Sequence, residues 1–262
     1  MSGPFTPEQN EVLIRLVTAW ADRKMVLIGA AALGCHVTMT WRRTNDLDLT
    51  VVAGIASTAA ELQELGFRRD DRYEHRWFSS SGVALDILPV TRDDVARGKL
   101  IWPESGFVMG LQSFDLLFTH TQRFSLDESH ELEIATLPVI VLLKMTSWLD
   151  KPYERQRDLQ DIGFIMSEYL ADDADRRWND SRLEGVEFDE QGAPALGLDL
   201  AAIAASHHRE IAHRFLDQFT DSGTHAFQLL GSAGRSGGRG RDVALAERLV
   251  AVRGGFGATR GP

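Results

Sequence analysis

Up to about residue 90 the chain alternates short apolar runs, most of them stopped by a glycine or a proline, with stretches of helical period; beyond that it turns mostly helical. A chain patterned this way buries a sheet under helices and then adds a helical part. Thr6-Pro-Glu-Gln offers an N-cap, a proline in the first turn and polar residues behind it, so a helix is expected over 7–22, with Val12, Leu13, Leu16, Val17 and Trp20 on one face. Met25 to Ile28 reads as a buried strand ended by Gly29, and Ala30 to Cys35 as the helix that follows. Leu47 to Val52 is a strand, Thr58 to Leu65 a helix closed by Gly66, and Val83 to Leu88 a strand stopped by Pro89. Ser79-Ser80-Ser81-Gly82 is a turn between strands. Gln112 to Phe118 has no clear period, Leu132 to Ala135 is a short strand, and helices are expected over Pro138 to Trp148 and Leu159 to Leu170. The expected class is α/β (α+β): a mixed sheet flanked by helices over residues 1–135, a mainly helical domain over 136–230 and a Gly/Arg-rich flexible tail over 231–262.

Two strands carry acids where strands seldom do. Asp46-Leu-Asp48 heads one of them, and the two-residue period puts both carboxylates on one face while Leu47 and Leu49 enter the core. Such a pair also fits a solvated turn. Asp86 is harder to dismiss, because it lies inside the apolar run Val83-Ala-Leu-Asp-Ile-Leu88, where a lone carboxylate needs a cation or a donor. If the two strands are neighbours, three carboxylates face one spot, and hard oxygen ligands suit Mg²⁺ or Mn²⁺ better than zinc. Gly29, between strand and helix, opens a turn whose amides can approach phosphate. Arg42, Arg43 and Thr44 stand just ahead of Asp46, where they can neutralise the acids or bind phosphate oxygens. Lys144 interrupts the apolar stretch Val139 to Leu143, so its ammonium must reach water or an anion. Asp158 and Asp161, three apart, share a helix face behind Arg155 and Arg157, an arrangement that surface pairing alone would also explain.

Composition narrows the function classes. With 262 residues, 44% hydrophobic and 25% charged, the chain is no disordered or fibrous sequence, and a formal charge of -10 rules out a cationic cradle spread over the whole surface. Any nucleic-acid partner must be held locally. The single cysteine, Cys35, closes no internal disulfide, the start shows no leader pattern, and no apolar run is long enough to cross a bilayer; a cytoplasmic protein is expected, without a membrane partner. The basic stretch over residues 231–262 holds nine Gly, six Arg and two acids, and reads as a linker plus a short amphipathic piece over Asp242 to Val252.

Four blocks in order resemble a known family. Leu27-Ile-Gly-Ala-Ala-Ala-Leu, Arg43-Thr44-Asn45-Asp46-Leu47-Asp48-Leu49 and Leu85-Asp86-Ile87-Leu88 are similar to the nucleotidyltransferase superfamily that shares the DNA polymerase β palm. The later block, Leu137-Pro-Val-Ile-Val-Leu-Leu-Lys144 followed by Arg155-Gln-Arg-Asp158-Leu-Gln-Asp161, resembles the AbiEii/AbiGii-like toxins of toxin–antitoxin systems. The resemblance implies a nucleotidyltransferase core that binds an NTP, with Gly29 and Ala30 in the nucleotide turn and Arg43 and Thr44 beside the phosphates. It further implies Asp46 and Asp48 as ligands of Mg²⁺ or Mn²⁺, Asp86 as third acid, Lys144 on the triphosphate, and Asp158 and Asp161 in the closing helical motif. The acceptor hydroxyl would belong to RNA such as tRNA, to a protein or to a small molecule, and an antitoxin would be a partner. One departure is visible: where the family has Gly-Gly or Gly-Ser, this chain has Gly29-Ala30. The same residues also suit a non-catalytic nucleotide-binding or partner-binding module.

Overall fold

Thr6 caps the first helix as its sequence predicts: its hydroxyl accepts from Gln9 N, and Gln9 Oε1 accepts in return from Thr6 N. In this computed structural model, which describes residues 3–38, 44–152, 154–220 and 240–257, helix α1 spans Pro7–Ala19. It ends ahead of residue 22 because Trp20 at its C-cap turns inward, only 2% exposed, with its indole N–H donating to Glu61. The chain divides into two units, Met1–Thr136 and Leu137–Pro262.

The first unit is built on a seven-stranded mixed sheet. Strand β1 (Met25–Ile28) leads directly into α2 (Gly29–His36); β2 (Asp46–Val52), α3 (Ile55–Glu64), β3 (Arg68–Arg69), β4 (Arg76–Phe78) and β5 (Ala84–Val90) follow. After α4 (Arg92–Ala96), a separate hairpin of β6 (Lys99–Ile101) and β7 (Val108–Gly110) and a 3₁₀ turn at Phe114–Phe118, strands β8 (Thr121–Ser125) and β9 (Glu131–Ala135) complete the unit. The order across the sheet is β3-β4-β5-β2-β1-β9-β8, with β2–β5 and β1–β9 parallel and the other pairs antiparallel. Leu47, Leu49, Leu85, Ile87 and Trp77 are at most 3% exposed and form the heart of this unit.

Pro89 does not stop its strand. Ile87 N–H donates to His75 O, so the amide that Pro89 lacks would point to the same edge of β5, beyond the point where β4 pairs. No ladder bond is lost there, and β5 runs on beside β2 to Val90.

The second unit is helical: α5 (Leu137–Asp150), α6 (Gln156–Glu168), α7 (Ala174–Asn179), α8 (Gly192–Ile203), α9 (Ser206–Thr220) and α10 (Gly240–Gly257). Helix α8 is buried nearly all round, from Gly192 to Ala201, as expected of a helix without a polar stripe. It packs backbone to backbone on α10: a Cβ at Gly197 would stand 2.2 Å from Val252 O, and one at Gly255 2.2 Å from Pro194 O. This differs from the expected flexible tail over 231–262. Gly255, in the stretch expected to be a disordered finish, lets two helices touch, and Leu249, Val252 and Phe256 are at most 1% exposed. Residues 221–239 and 258–262, the remainder of that tail, lie outside the described residues.

Candidate active site

Neighbouring strands bring the acids together. β2 and β5 run parallel with Asp48 in register with Asp86, so Asp46, Asp48 and Asp86 share one face of the sheet while Leu47, Leu49, Leu85 and Ile87 fill the other. Farther along the same face, Thr50 is buried, its hydroxyl donating to Leu88 O, and lies with Val26, Val52 and Val90 beneath Phe114, Leu117 and Phe118 of the 3₁₀ turn. The acids stand at the end this turn leaves open, with Asp46 41% exposed in its side chain.

Gly29 is shaped around Asp48. It starts α2 at φ +68°, and a Cβ there would lie 2.3 Å from Asp48 Oδ2 and 2.9 Å from Asp48 Cγ. Both the backbone conformation and the approach of the carboxylate therefore require glycine. Ile28 at the N-cap makes no side-chain bond to the first turn of α2, and the Asp48 carboxylate lies against this positive helix end. Ala30 is the second residue of that helix and its methyl group is buried.

Asp46 is oriented from the chain just before it. Thr44 Oγ1 lies 3.1 Å from both Asp46 O and Asp46 Oδ1 and donates there, while Gln9 Nε2 donates to Thr44 O. Gln9, which completes the capping box of α1, thus also holds the lead-in to β2. Arg43, expected beside the phosphates, lies outside the described residues, as does Arg42.

The residue that sequence reasoning missed is Arg76. It faces Asp86 across the β4–β5 ladder, and its Nε and Nη2 each donate to an Asp86 oxygen at 2.7 Å. Nη2 also reaches Asp46 Oδ2 at 3.4 Å. The hydrogen bonds to Asp86, with the charges of Asp86, Asp46 and Asp48, raise the Arg76 guanidinium above its ordinary pKa despite partial burial. A signal for this partner existed in the turn Ser79–Gly82: a hairpin centred there and pairing Phe78 with Ala84 must pair Arg76 with Asp86.

Lys144, Asp158 and Asp161 come together within the helical unit. Lys144 Nζ donates to Asp158 Oδ1 at 2.8 Å and to Asp161 Oδ2 at 2.7 Å, and the Lys144 and Asp161 side chains are 9% and 1% exposed. Burial opposes the ammonium charge, but the two carboxylates outweigh it and raise the Lys144 pKa. These partners account for a buried lysine without any phosphate. Cys35 is chemically quiet, since burial pushes its thiol up to about 12.

A β-strand pair presenting Asp46 and Asp48 on one face beside a glycine-started helix can hold a divalent cation next to backbone amides, and such a cation can bring a phosphate chain to the same place. The carboxylate oxygens of Asp46 and Asp48 match Mg²⁺ or Mn²⁺ in donor chemistry.

No protein-family model matches the chain, and no curated protein matches it either. Among solved structures, an antigenic nucleotidyltransferase-like protein from Paracoccidioides brasiliensis aligns at 15% identity and TM-score 0.41 over 60% of this chain and 75% of that one. A protein from H. pylori assigned as a nucleotidyltransferase aligns at 16% identity and TM-score 0.44 over 97% of both chains. Likeness at this level gives no residue of this chain a role.

Proposed function

We propose that the chain is a metal-dependent nucleotidyltransferase that moves an NMP from an NTP to an acceptor hydroxyl. The observation that carries this reading is the seat of Asp48 against the Cβ-free Gly29, with Asp46 on the same open sheet face. Mg²⁺ or Mn²⁺ held there would neutralise the triphosphate and polarise the attacked phosphorus. Asp46 and Asp48 hold the ion, and Thr44 fixes the Asp46 carboxylate for that task. The first amides of α2, those of Gly29 and Ala30, offer donors to phosphate oxygens, which needs no side chain at either position. The buried methyl of Ala30 leaves its amide in place.

The acceptor classes in view are a tRNA end, a protein side chain and a small molecule of aminoglycoside type. A toxin role opposite an antitoxin rests on the sequence blocks around Lys144 and Asp158. The rival reading, a non-catalytic nucleotide-binding or partner-binding module, draws support from Arg76, which closes both oxygens of Asp86. Incubation with labelled NTPs, Mg²⁺ and each acceptor class separates the two: transfer of label with pyrophosphate release is expected, abolished by Asp46→Asn and by Asp48→Asn. Binding of NTP with no pyrophosphate from any acceptor would favour the rival.

A further inference from the structure

The helical unit presents an aromatic pair at its surface. Trp178 on α7 is 76% exposed and Phe188, in the 3₁₀ turn Phe188–Glu190, is 40% exposed, with ring centroids 5.2 Å apart at an interplanar angle of 38°. Single exposed apolar residues are common, but this pair is braced. The Arg177 guanidinium lies 4.6 Å from the Phe188 ring centroid, and its Nε and Nη1 donate to Leu170 O and Phe188 O. Arg176 ties the same helix to α8, its Nη1 and Nη2 donating to Asp199 at 2.7 and 2.8 Å. The indole is thus offered on a fixed base, and a partner that packs on it has little ordering entropy to overcome.

The charge around the pair selects the partner. Residues 172–190 hold eight acids and three arginines. The arginines are committed: Arg176 pairs with Asp199 and Asp180, Arg182 with Asp180, and Arg177 donates to the two carbonyls. Glu187 and Asp189, which flank Phe188 in the chain, are exposed and form no ion pair among the described residues. We propose that Trp178 and Phe188 are the centre of a docking surface for an arginine-rich segment of a protein partner. A guanidinium can stack on an exposed ring and hold a carboxylate at once, because its faces are weakly hydrated and its edge carries the donors. Arg177 over Phe188 already shows the stacking half of that contact. A phosphate backbone would instead meet unpaired carboxylates, which favours a basic protein over RNA. Docking here needs no nucleotide chemistry and stands apart from the nucleotidyltransferase reading.

Anisotropy of a fluorescein-labelled nona-arginine peptide, titrated with the full chain at about 0.15 M salt, tests this. Binding is expected to weaken about tenfold or more in Trp178→Ala, a surface change that circular dichroism should show to leave the fold in place. Glu187→Gln with Asp189→Asn should weaken it about two- to fivefold. Glu11→Gln with Glu64→Gln, which removes two exposed acids of the first unit, should change it less than about twofold. No binding by the wild type would overturn the proposal. So would equal binding by Trp178→Ala, or a loss in the Glu11/Glu64 variant as large as in the Glu187/Asp189 variant, which would reduce the contact to bulk charge. A labelled decauridine that binds the wild type and is lost in Trp178→Ala would overturn it in favour of RNA, and a sedimenting dimer that Trp178→Ala dissolves would overturn it in favour of a second copy.

Discussion

A methyl group added at Gly29 would meet Asp48 Oδ2 at 2.3 Å on a backbone already at φ +68°. Gly29→Ala should therefore cost about 1–3 kcal/mol from the left-handed conformation alone, and should push the Asp48 carboxylate off its seat. Thermal melts together with Mn²⁺ titration check this: stability and ion affinity are expected to fall together, whereas an unchanged melt would show that the backbone relaxes freely. His36 makes a different residue-scale prediction. Its Nε2–H donates to Ala135 O at 2.7 Å and its Nδ1 accepts from Gln122 Nε2 at 3.3 Å, which is the neutral ring. Burial lowers its pKa below the ordinary 6.5 even though the carbonyl bond pulls the other way. The unfolded chain then binds the proton more readily than the folded one, so the stability due to neutral His36 is complete above the ordinary value and is lost as pH falls through the folded pKa. Melting temperature should drop from pH 7 toward pH 5, and His36→Gln should flatten that slope; an equal slope in the variant would assign it to other groups.

Among the elements, α5 and α6 are joined by a buried triad whose centre is Lys144. Lys144→Met removes the ammonium that donates to both Asp158 and Asp161, and breaking a buried ion pair in this way costs about 3–5 kcal/mol. Denaturant unfolding followed by far-ultraviolet circular dichroism should register that loss; a variant as stable as the wild type would mean that water already solvates the pair. This helix pair was legible as a lysine in an apolar stretch followed by two acids on one face, but which anion the lysine meets is a tertiary fact. The strands that carry Asp46, Asp48 and Asp86 were legible for the same reason, through their apolar alternation. β4 was not: Arg76, Trp77 and Phe78 are too few to show a period, and only the register of the adjoining turn reveals their pairing. α8 escaped because Gly192-Ala-Pro-Ala-Leu-Gly has no polar face to set a stripe, and a helix buried all round hides its period. Pro89 misled because a proline ends a strand only where its missing amide had a partner.

On the scale of the molecule, the helical unit depends on a segment remote in sequence from α8. Cutting the chain after residue 239 removes α10 with Leu249, Val252 and Phe256, each of which contributes roughly 1.5–3 kcal/mol by burial. The shortened chain should melt lower and be cut faster by proteases within residues 192–203; Gly197→Leu, which would drive a side chain into Val252 O, should mimic it in the full chain. A truncated protein as stable as the intact one would show that α10 is dispensable. In the first unit the comparable long-range joint is β1 against β9, where Val26 pairs with Glu133 and Leu27 with Ile134, more than a hundred residues on. Strands β3, β4, β5, β2 and β1 can all assemble from residues before 91, yet until Glu131–Ala135 arrives β1 is a bare, apolar edge in a growing chain. The closure that covers it carries a high loop-entropy cost and belongs late in folding. Until then, the backbone groups of Met25–Ile28 are open to pairing with any other nascent copy, so a holdase chaperone or slow synthesis should decide how much of this protein reaches its native state.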